Sequence, residues 1–285
     1  MNFLRHFLEG RLPTSPALEE PKKSQSTSSE LERALNKDSE TENKLTSREV
    51  VTRRELGGGF NESEIIELKD DGMAVFKPRD GEDSFADEGY EEGTLYKRER
   101  AAYLVSRFLD LGLVPSTVIK KVGSNIGSAQ EFVLGTTPAE MSQRDMDSFA
   151  KKHNEELVKL WLFDYVIWNT DRHGANLLIN GERVVAIDNG LSFVNSRQRW
   201  LKTYYNREVI DKNIPSEVVS KFKNFLADAE LKKTLSDLLS EHLTKEEVGS
   251  CMARIERVGE VVTNKKGQMS EIFKDKYKLD FNPSK

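Results

Sequence analysis

Two aspartates and an asparagine in the middle of the chain have the types and spacing that phosphoryl transfer requires. Asp171 and Asn176 lie five positions apart, and Asp188 follows at the end of a predicted short hairpin. Phosphoryl transfer builds negative charge on non-bridging oxygens, so a protein supplies metal ligands and cations rather than a covalent partner. We therefore expect Asp171 to orient and deprotonate an attacking hydroxyl, while Asn176 and Asp188 hold the Mg²⁺ ions that bridge nucleotide phosphates. Taken alone, 188–190 could also be a type I′ turn.

Two neighbours of Asp171 extend this candidate catalytic loop. Arg172 and His173 follow the aspartate directly, and each could stabilise the transferring group or the loop itself. A helix end with an exposed histidine is the alternative for Asp-Arg-His taken alone. The predicted catalytic residues are Asp171, Arg172, His173 and Asn176.

Residues upstream could bind a nucleotide. Lys77 ends a predicted strand, from which it could reach the α- and β-phosphates, and Glu99 in the next helix could fix its direction, although an ordinary surface ion pair is the alternative. The glycines at 57–59 could bring backbone N–H groups to the phosphates, or form only a linker. The segment that joins the two halves of the chain could contact adenine. The predicted nucleotide-binding residues are Lys77, Glu99, Gly58, Gly59, Ser63, Gln130, Glu131, Phe132 and Val133.

The segment 194–207 follows the predicted metal-binding aspartate and is basic within an acidic chain. It contains several cations and no acidic residue, and aromatic residues are interspersed among them. Such a segment could recognise an anionic acceptor, either a phosphoinositide headgroup or an acidic protein. A solvated basic face with its aromatic side chains packed inward is the alternative. The predicted substrate-binding residues are Arg197, Arg199 and Lys202.

The surrounding pattern predicts two lobes and an α+β fold. Short apolar segments around the turns at 70–72 and 123–125 predict two hairpins, the second with its last strand over 131–133, and a helix over 94–111 between the hairpins. A helix over 145–168, a hairpin over 177–187 and further helices follow, and Thr244 with Glu247 forms a capping box. We expect a disordered tail at 1–50, a β-rich lobe at 51–135, a helical lobe at 136–275 and a C-terminal tail at 276–285.

The composition excludes several classes of protein. Hydrophobic residues make up 37% of the 285 residues and the net charge is −5, which argues against a dedicated nucleic-acid binder. The single cysteine, Cys251, excludes a disulfide framework within the chain and favours a reducing compartment. No apolar stretch has the ~20 residues of a membrane span, and the start does not read as a signal peptide. We expect a cytoplasmic protein, with peripheral membrane attachment, for example through apolar residues at 3–8, as an alternative.

Five stretches resemble the phosphatidylinositol 3- and 4-kinase superfamily, and most closely the type II phosphatidylinositol 4-kinases. They are AVFKP at 74–78, the helix that contains Glu99, GLVPSTV at 112–118, NTDR at 169–172 and AIDNGLSF at 186–193. The resemblance implies a bilobal protein-kinase-like fold and phosphorylation of a hydroxyl with ATP and Mg²⁺ or Mn²⁺. It also implies that Lys77 binds ATP, that Asp171 and Asn176 belong to a catalytic loop, and that Asp188 binds metal.

The departures from that resemblance bear on the acceptor. Type II lipid kinases anchor through a palmitoylated cysteine cluster, which this chain lacks. His173 is more similar to the type III lipid kinases and phosphatidylinositol 3-kinases, and the secretory casein kinases and actin-fragmin kinase share the same layout. We therefore favour phosphatidylinositol slightly as the acceptor, with a protein serine or threonine as the alternative. A nucleotide-binding pseudokinase and an AMPylating enzyme are further alternatives.

Overall fold

The structure is a computed structural model that describes residues 40–57, 61–194, 201–203, 206–264 and 267–273. Its N-terminal half is built on an antiparallel sheet whose strands pair in the order β1-β2-β3-β5-β4. Strand β3, which carries Lys77, is the central strand and pairs with β2 on one side and β5 on the other. The strands are β1 (Val50–Glu55), β2 (Glu64–Leu68), β3 (Gly72–Pro78), β4 (Thr117–Val122) and β5 (Asn125–Glu131).

The two faces of this sheet have different roles. Side chains alternate between faces along a strand, so Ala74 and Phe76 are buried in a small apolar core while Val75 and Lys77 lie on the opposite face, partly exposed. Ser128 on β5 lies directly across from Lys77. The small core consists of Leu45, Ile66, Leu68, Ala74, Phe76, Val118, Val122 and Ala129.

The prediction of a disordered tail over 1–50 is wrong for its last part. Residues 40–47 form a helix, α1, whose Leu45 is 3% exposed and packs in the small core of the sheet. Lys120 on β4 donates from Nζ to the carbonyl oxygens of Leu45, Thr46 and Arg48, which satisfies the end of the helix. The polar composition concealed α1 because a single apolar side chain makes its contact with the core. The apolar residues predicted as an anchor lie outside the described residues.

Helices dominate after the sheet, apart from one hairpin, which confirms the predicted α+β class. The hairpin pairs β6 (Leu177–Asn180) with β7 (Arg183–Ala186). No helix in the described ranges is long and apolar enough to cross a membrane. The helices are α2 (Leu95–Phe108), α3 (Gln143–Lys152), α4 (Asn154–Ile167), α5 (Asn206–Val209), α6 (Ser216–Ala227), α7 (Ala229–Ser240), α8 (Lys245–Asn264) and α9 (Met269–Phe273).

Two element boundaries differ from the sequence prediction. The helix expected over 145–168 is two helices, because His153 leaves the helical conformation at φ −115° and ψ 35° and separates α3 from α4. The strand expected over 131–133 ends at Glu131, so Phe132 and Val133 belong to the connection between the two halves of the chain. The apolar pair Phe132 and Val133 after Glu131 predicted that the strand continues, but only Glu131 belongs to the ladder.

Helix α4 is the centre of the larger core and determines where the candidate site begins. Apolar residues occupy every side of α4, and ten of its residues, from Leu157 to Ile167, are buried. Helices with apolar residues all around are found in protein interiors. The helix ends at Trp168, whose left-handed φ of 51° turns the chain sharply into the NTDR segment.

Candidate active site

Lys77 is the centre of a charged cluster between the two halves of the chain. Its Nζ donates to Oε1 of Glu99 at 2.5 Å and to Oδ1 of Asp188 at 2.8 Å. Glu99 is 2% exposed, and its Oε2 accepts a hydrogen bond from the backbone N–H of Asn189 at 3.0 Å. The sheet, helix α2 and the segment after β7 therefore meet at one lysine.

The electrostatics of this cluster favour the charged forms of Lys77 and Asp188. Burial acts to lower the pKa of Lys77, but the charges of Asp188 and Glu99 outweigh this effect and raise the pKa above its ordinary value. Lys77 in turn lowers the pKa of Asp188 against the opposing effect of burial, and Arg172 and His173 act in the same direction as Lys77. The Asp188 side chain remains 49% exposed, so a ligand could reach its carboxylate. Its backbone φ of 53° is unusual for a non-glycine residue and typical of functional sites.

Arg172 is buried and holds the backbone of the candidate catalytic loop in place through hydrogen bonds. Its Nε and Nη2 pair with Asp164 of α4, and both side chains are 0% exposed. Nη1 donates to the carbonyl oxygens of Asn176 and Ile187, at 2.9 and 2.7 Å. Arg172 thus ties together the backbone next to both predicted metal ligands, Asn176 and Asp188. Of its two expected roles, this geometry favours support of the loop over contact with a transferring group.

The carboxylate of Asp171 lies beside two side chains that can donate hydrogen bonds, Lys202 and His173. Oδ1 accepts from Nζ of Lys202 at 3.0 Å, and Oδ2 lies 3.5 Å from Nε2 of His173. The Nδ1 atom of His173 accepts from the backbone N–H of Ala175, which places the imidazole proton on Nε2 beside Asp171. The Asp171 N–H donates to Oδ1 of Asn169 at 2.8 Å, and this turn fixes the backbone of the loop.

Asn176 and Asp188 provide the donor set that a magnesium ion prefers. Nδ2 of Asn176 donates to the carbonyl oxygen of Asp171 at 3.0 Å, which leaves the amide oxygen without a partner in the described part of the chain. Mg²⁺ binds hard oxygen ligands, commonly one or two from the protein together with substrate phosphates. An amide oxygen and an accessible carboxylate fit this requirement. The described residues hold no group of three or more carboxylate, imidazole or thiolate side chains that would bind a metal alone.

The connection after β5 has a free edge where an adenine ring could bind. The backbone N–H and C=O of Val133 have no hydrogen-bond partner within the described ranges. Phe132 donates its N–H to the carbonyl of Met73, and the Gln130 amide is held by Oγ1 of Thr117 at 3.0 Å. Glu131 is exposed. The backbone of Val133 could therefore contact a base, while the Gln130 side chain is buried and paired with Thr117.

Other predicted residues are less informative. Ser63 directly precedes β2, and its carbonyl accepts from the N–H of Leu56 at 2.8 Å, which closes the connection from β1. Gly58 and Gly59 of the glycine run lie outside the described residues, as do Arg197 and Arg199 of the basic segment. Lys202 is described and reaches Asp171.

Two carboxylates that sequence reasoning did not select also hold helix α2. Glu42 of α1 pairs with Arg100 and with Arg107, the latter at 2.8 Å. Glu247 of α8 pairs with Arg98 at 2.5 Å. The sequence signal for Glu247 was its capping box with Thr244, which the structure confirms. Glu42 carried no signal because it lies in a segment whose composition predicted disorder.

Comparison with known proteins places this geometry in a family. The model of the family described as phosphatidylinositol 3- and 4-kinase matches residues 87–263. Protein Rv2133c of Mycobacterium tuberculosis is 29% identical in an alignment 213 positions long that covers 63% of this chain and 73% of that protein.

Solved structures support the bilobal, protein-kinase-like fold. The Golgi casein kinase with Mn/ADP bound is 16% identical, with a TM-score of 0.55 over 86% of this chain and 78% of that one. The structure of hydra Fam20 with sugar is 15% identical, with a TM-score of 0.52 over 79% and 90% of the two chains.

The family match runs from the loop before α2 to the end of α8 and includes Glu99, the candidate catalytic loop and Asp188. The chain therefore belongs to the phosphatidylinositol 3- and 4-kinase family, which also supports its assignment as a phosphotransferase.

Proposed function

We propose that this protein is an ATP-dependent kinase that transfers the γ-phosphate of ATP to a hydroxyl group. The observation that carries this proposal is the position of Lys77, whose Nζ lies within hydrogen-bond distance of both Glu99 and Asp188. In kinases a lysine held by a helix glutamate positions the nucleotide phosphates, and an aspartate beside it binds the metal ion. Three distant segments of sequence meet here with the required side chains.

Each residue of the site has a distinct role in this proposal. Lys77, oriented by Glu99, holds the α- and β-phosphates, while Asn176 and Asp188 provide oxygen ligands for the metal. Asp171 accepts a hydrogen bond from the acceptor hydroxyl and takes its proton as transfer proceeds. His173 keeps a proton on Nε2 beside Asp171 and can stabilise charge there. Mg²⁺, when bound with ATP, neutralises the charge that develops on the phosphate oxygens.

We propose an anionic acceptor and favour a phosphatidylinositol headgroup. The family description supports this choice, and Lys202 supports it from the site. Its ammonium is half exposed and already lies against Asp171, so an anionic acceptor would bring its own charge to Lys202 and its hydroxyl to Asp171. Arg197 and Arg199 stay predictions for the same headgroup.

A protein hydroxyl is the second candidate acceptor. The Golgi casein kinase shares the fold over 86% of this chain. That name belongs to the other protein, and it supports the view that this fold is not confined to lipid kinases. The two acceptors therefore need a direct test.

The test offers both acceptors to the purified chain. γ-labelled ATP and Mg²⁺ are supplied with phosphatidylinositol vesicles in one reaction and with an acidic protein such as casein in another. The Asp188→Ala variant should abolish transfer. Asp237→Ala is the matched control because Asp237 is an exposed carboxylate of α7 that pairs with Lys233 across one helical turn.

Each result has a defined meaning. Label in lipid that is lost in Asp188→Ala would support the lipid acceptor, and label in protein alone would replace it by the second candidate. Label on product from α-labelled but not from γ-labelled ATP would overturn the proposal in favour of AMPylation. No nucleotide binding at all would overturn the proposal of a kinase.

A further inference from the structure

Arg98, next to Glu99 on helix α2, is a buried cation that the proposed reaction does not use. It is 3% exposed, and its guanidinium lies over the ring of Tyr90 at 5.1 Å. Nη2 donates to Oε1 of Glu247 at 2.5 Å, and Nη1 donates to the carbonyl oxygen of Ser192 at 2.7 Å. A guanidinium buried to this degree needs such partners because its charge cannot be solvated by water.

Arg98 and Glu99 fasten α2 to the same short segment of chain. Glu99 accepts from the N–H of Asn189, and Arg98 donates to the carbonyl of Ser192. This segment, residues 189–192, directly follows Asp188, the predicted metal ligand. An outward movement of α2 would therefore separate Glu99 from Lys77 and would also remove Arg98 from its buried partners.

Glu247 is itself held in a fixed orientation. Its Oε2 accepts from the N–H and Oγ1 of Thr244, both at 2.9 Å, while its Oε1 meets Arg98. One carboxylate thus caps the start of α8 and neutralises the cation on α2. The side chain has little freedom to follow Arg98 if α2 moves.

We propose that Arg98, held by Glu247, is a positioning residue for phosphate transfer, which keeps α2 docked on residues 189–192 so that Glu99 can hold Lys77. The inference rests on the proposed kinase activity. It predicts that Arg98 acts only through Glu99, so the two residues should not contribute independently to the rate.

The test is a double-mutant cycle with kcat and KM for ATP as readouts. We expect Arg98→Met to lower kcat about tenfold per folded enzyme and to change KM for ATP by less than about twofold. In a Glu99→Gln background, the same Arg98→Met change should lower kcat by less than about twofold, because the pair it supports is already lost. Arg98→Lys, which can still pair with Glu247, should recover part of the rate.

The matched control is Lys97→Met on the same turn of α2. Lys97 is partly buried and forms no ion pair within the described ranges, so its replacement should leave kcat within about twofold of the unaltered enzyme. Circular dichroism and nucleotide-binding stoichiometry give the folded fraction of each variant. Equal, additive losses from Arg98→Met in both backgrounds would show a general structural role and overturn the proposal.

Hydrogen exchange separates failure of this inference from failure of the proposed function. Backbone amides of α2 should exchange faster in Arg98→Met than in Lys97→Met, whether or not an acceptor is phosphorylated. No phosphate transfer by the unaltered chain would contradict the proposed function, while the exchange experiment would still report whether Arg98 holds α2. Equal exchange in the two variants would overturn the inference even if the chain is an active kinase.

Discussion

Two clusters of opposite charges meet at the candidate site, and they differ in their access to solvent. The Lys77 cluster is open, because the Lys77 side chain is 20% exposed and that of Asp188 is 49% exposed. The Arg172–Asp164 cluster is closed, with both side chains at 0%. Each has a cation between oxygen acceptors, yet only the first can exchange a protein partner for a ligand.

The difference in solvent access distinguishes a cluster that can bind a ligand from a cluster that only holds the loop in position. Lys77 can move from Asp188 towards a phosphate while Glu99 still holds it, because its partners lie on different segments. Arg172 cannot change partners, since its donors reach Asp164 and the backbone carbonyls of Asn176 and Ile187 inside the protein. Changes in the open cluster should therefore affect activity, and changes in the closed cluster should affect the free energy of unfolding.

The largest expected effect is the loss of activity on breaking the open cluster. We expect Lys77→Met to lower kcat/KM for ATP by about 1000-fold or more, equivalent to ~4 kcal/mol of transition-state stabilisation. Steady-state kinetics measure this loss, with Lys233→Met, an exposed lysine of α7, as the control. Unchanged kinetics in Lys77→Met would contradict the assignment of Lys77 to nucleotide binding.

Breaking the closed cluster should mainly reduce stability. Asp164→Asn leaves the buried Arg172 charge uncompensated, and we expect a loss of about 3–5 kcal/mol in the free energy of unfolding. Urea titration measures this loss. The double change Asp164→Leu with Arg172→Met should recover part of it, because no buried charge remains. If Asp164→Asn is as stable as the unaltered chain, the pair of Asp164 and Arg172 does not hold the loop.

The pair of arginines held by Glu42 gives an intermediate case. Glu42 and its partners are partly buried, so Glu42→Gln should lower the free energy of unfolding by about 1–2 kcal/mol. The control is Glu40→Gln, whose exposed ion pair with Lys44 on the same helix should contribute nothing measurable. Equal behaviour of the two variants in urea titration would mean that α1 is not fastened to α2 through Glu42.

The last effect, no larger than that of Glu42, should come from His242, which belongs to neither cluster and has no carboxylate partner among the described residues. Burial, and then the charges of Arg100 and Lys97, lower its pKa from 6.5 to about 4. Between these values the unfolded chain binds more protons, so stability should fall as pH falls from 6.5 towards 4, by on the order of 1–2 kcal/mol. His242→Gln should remove that part of the pH dependence in urea titrations, and an unchanged profile would contradict it.

The sequence predicted most elements and the residues of the open cluster. Short apolar segments predicted the hairpins of β2 with β3 and β6 with β7, and Asp70–Gly72 and Asn180–Glu182 are turn sequences. Lys77 and Asp188 were identifiable because the metal and phosphate binding that we propose for them restricts both residue type and order along the chain. The α1 helix and the division between α3 and α4 were missed, because one buried leucine and one non-helical histidine leave little trace in composition or periodicity.

Residue types and their local spacing thus determined which groups could bind a nucleotide, a metal ion and an acceptor. Only the tertiary structure decided which of the charged residues are accessible to solvent and which are buried. Arg172 is adjacent to Asp171 in sequence, but burial beneath the loop gives it a supporting position, and Arg98 pairs with a residue 149 positions away. Solvent access depends on how distant helices pack, and no local pattern encodes it.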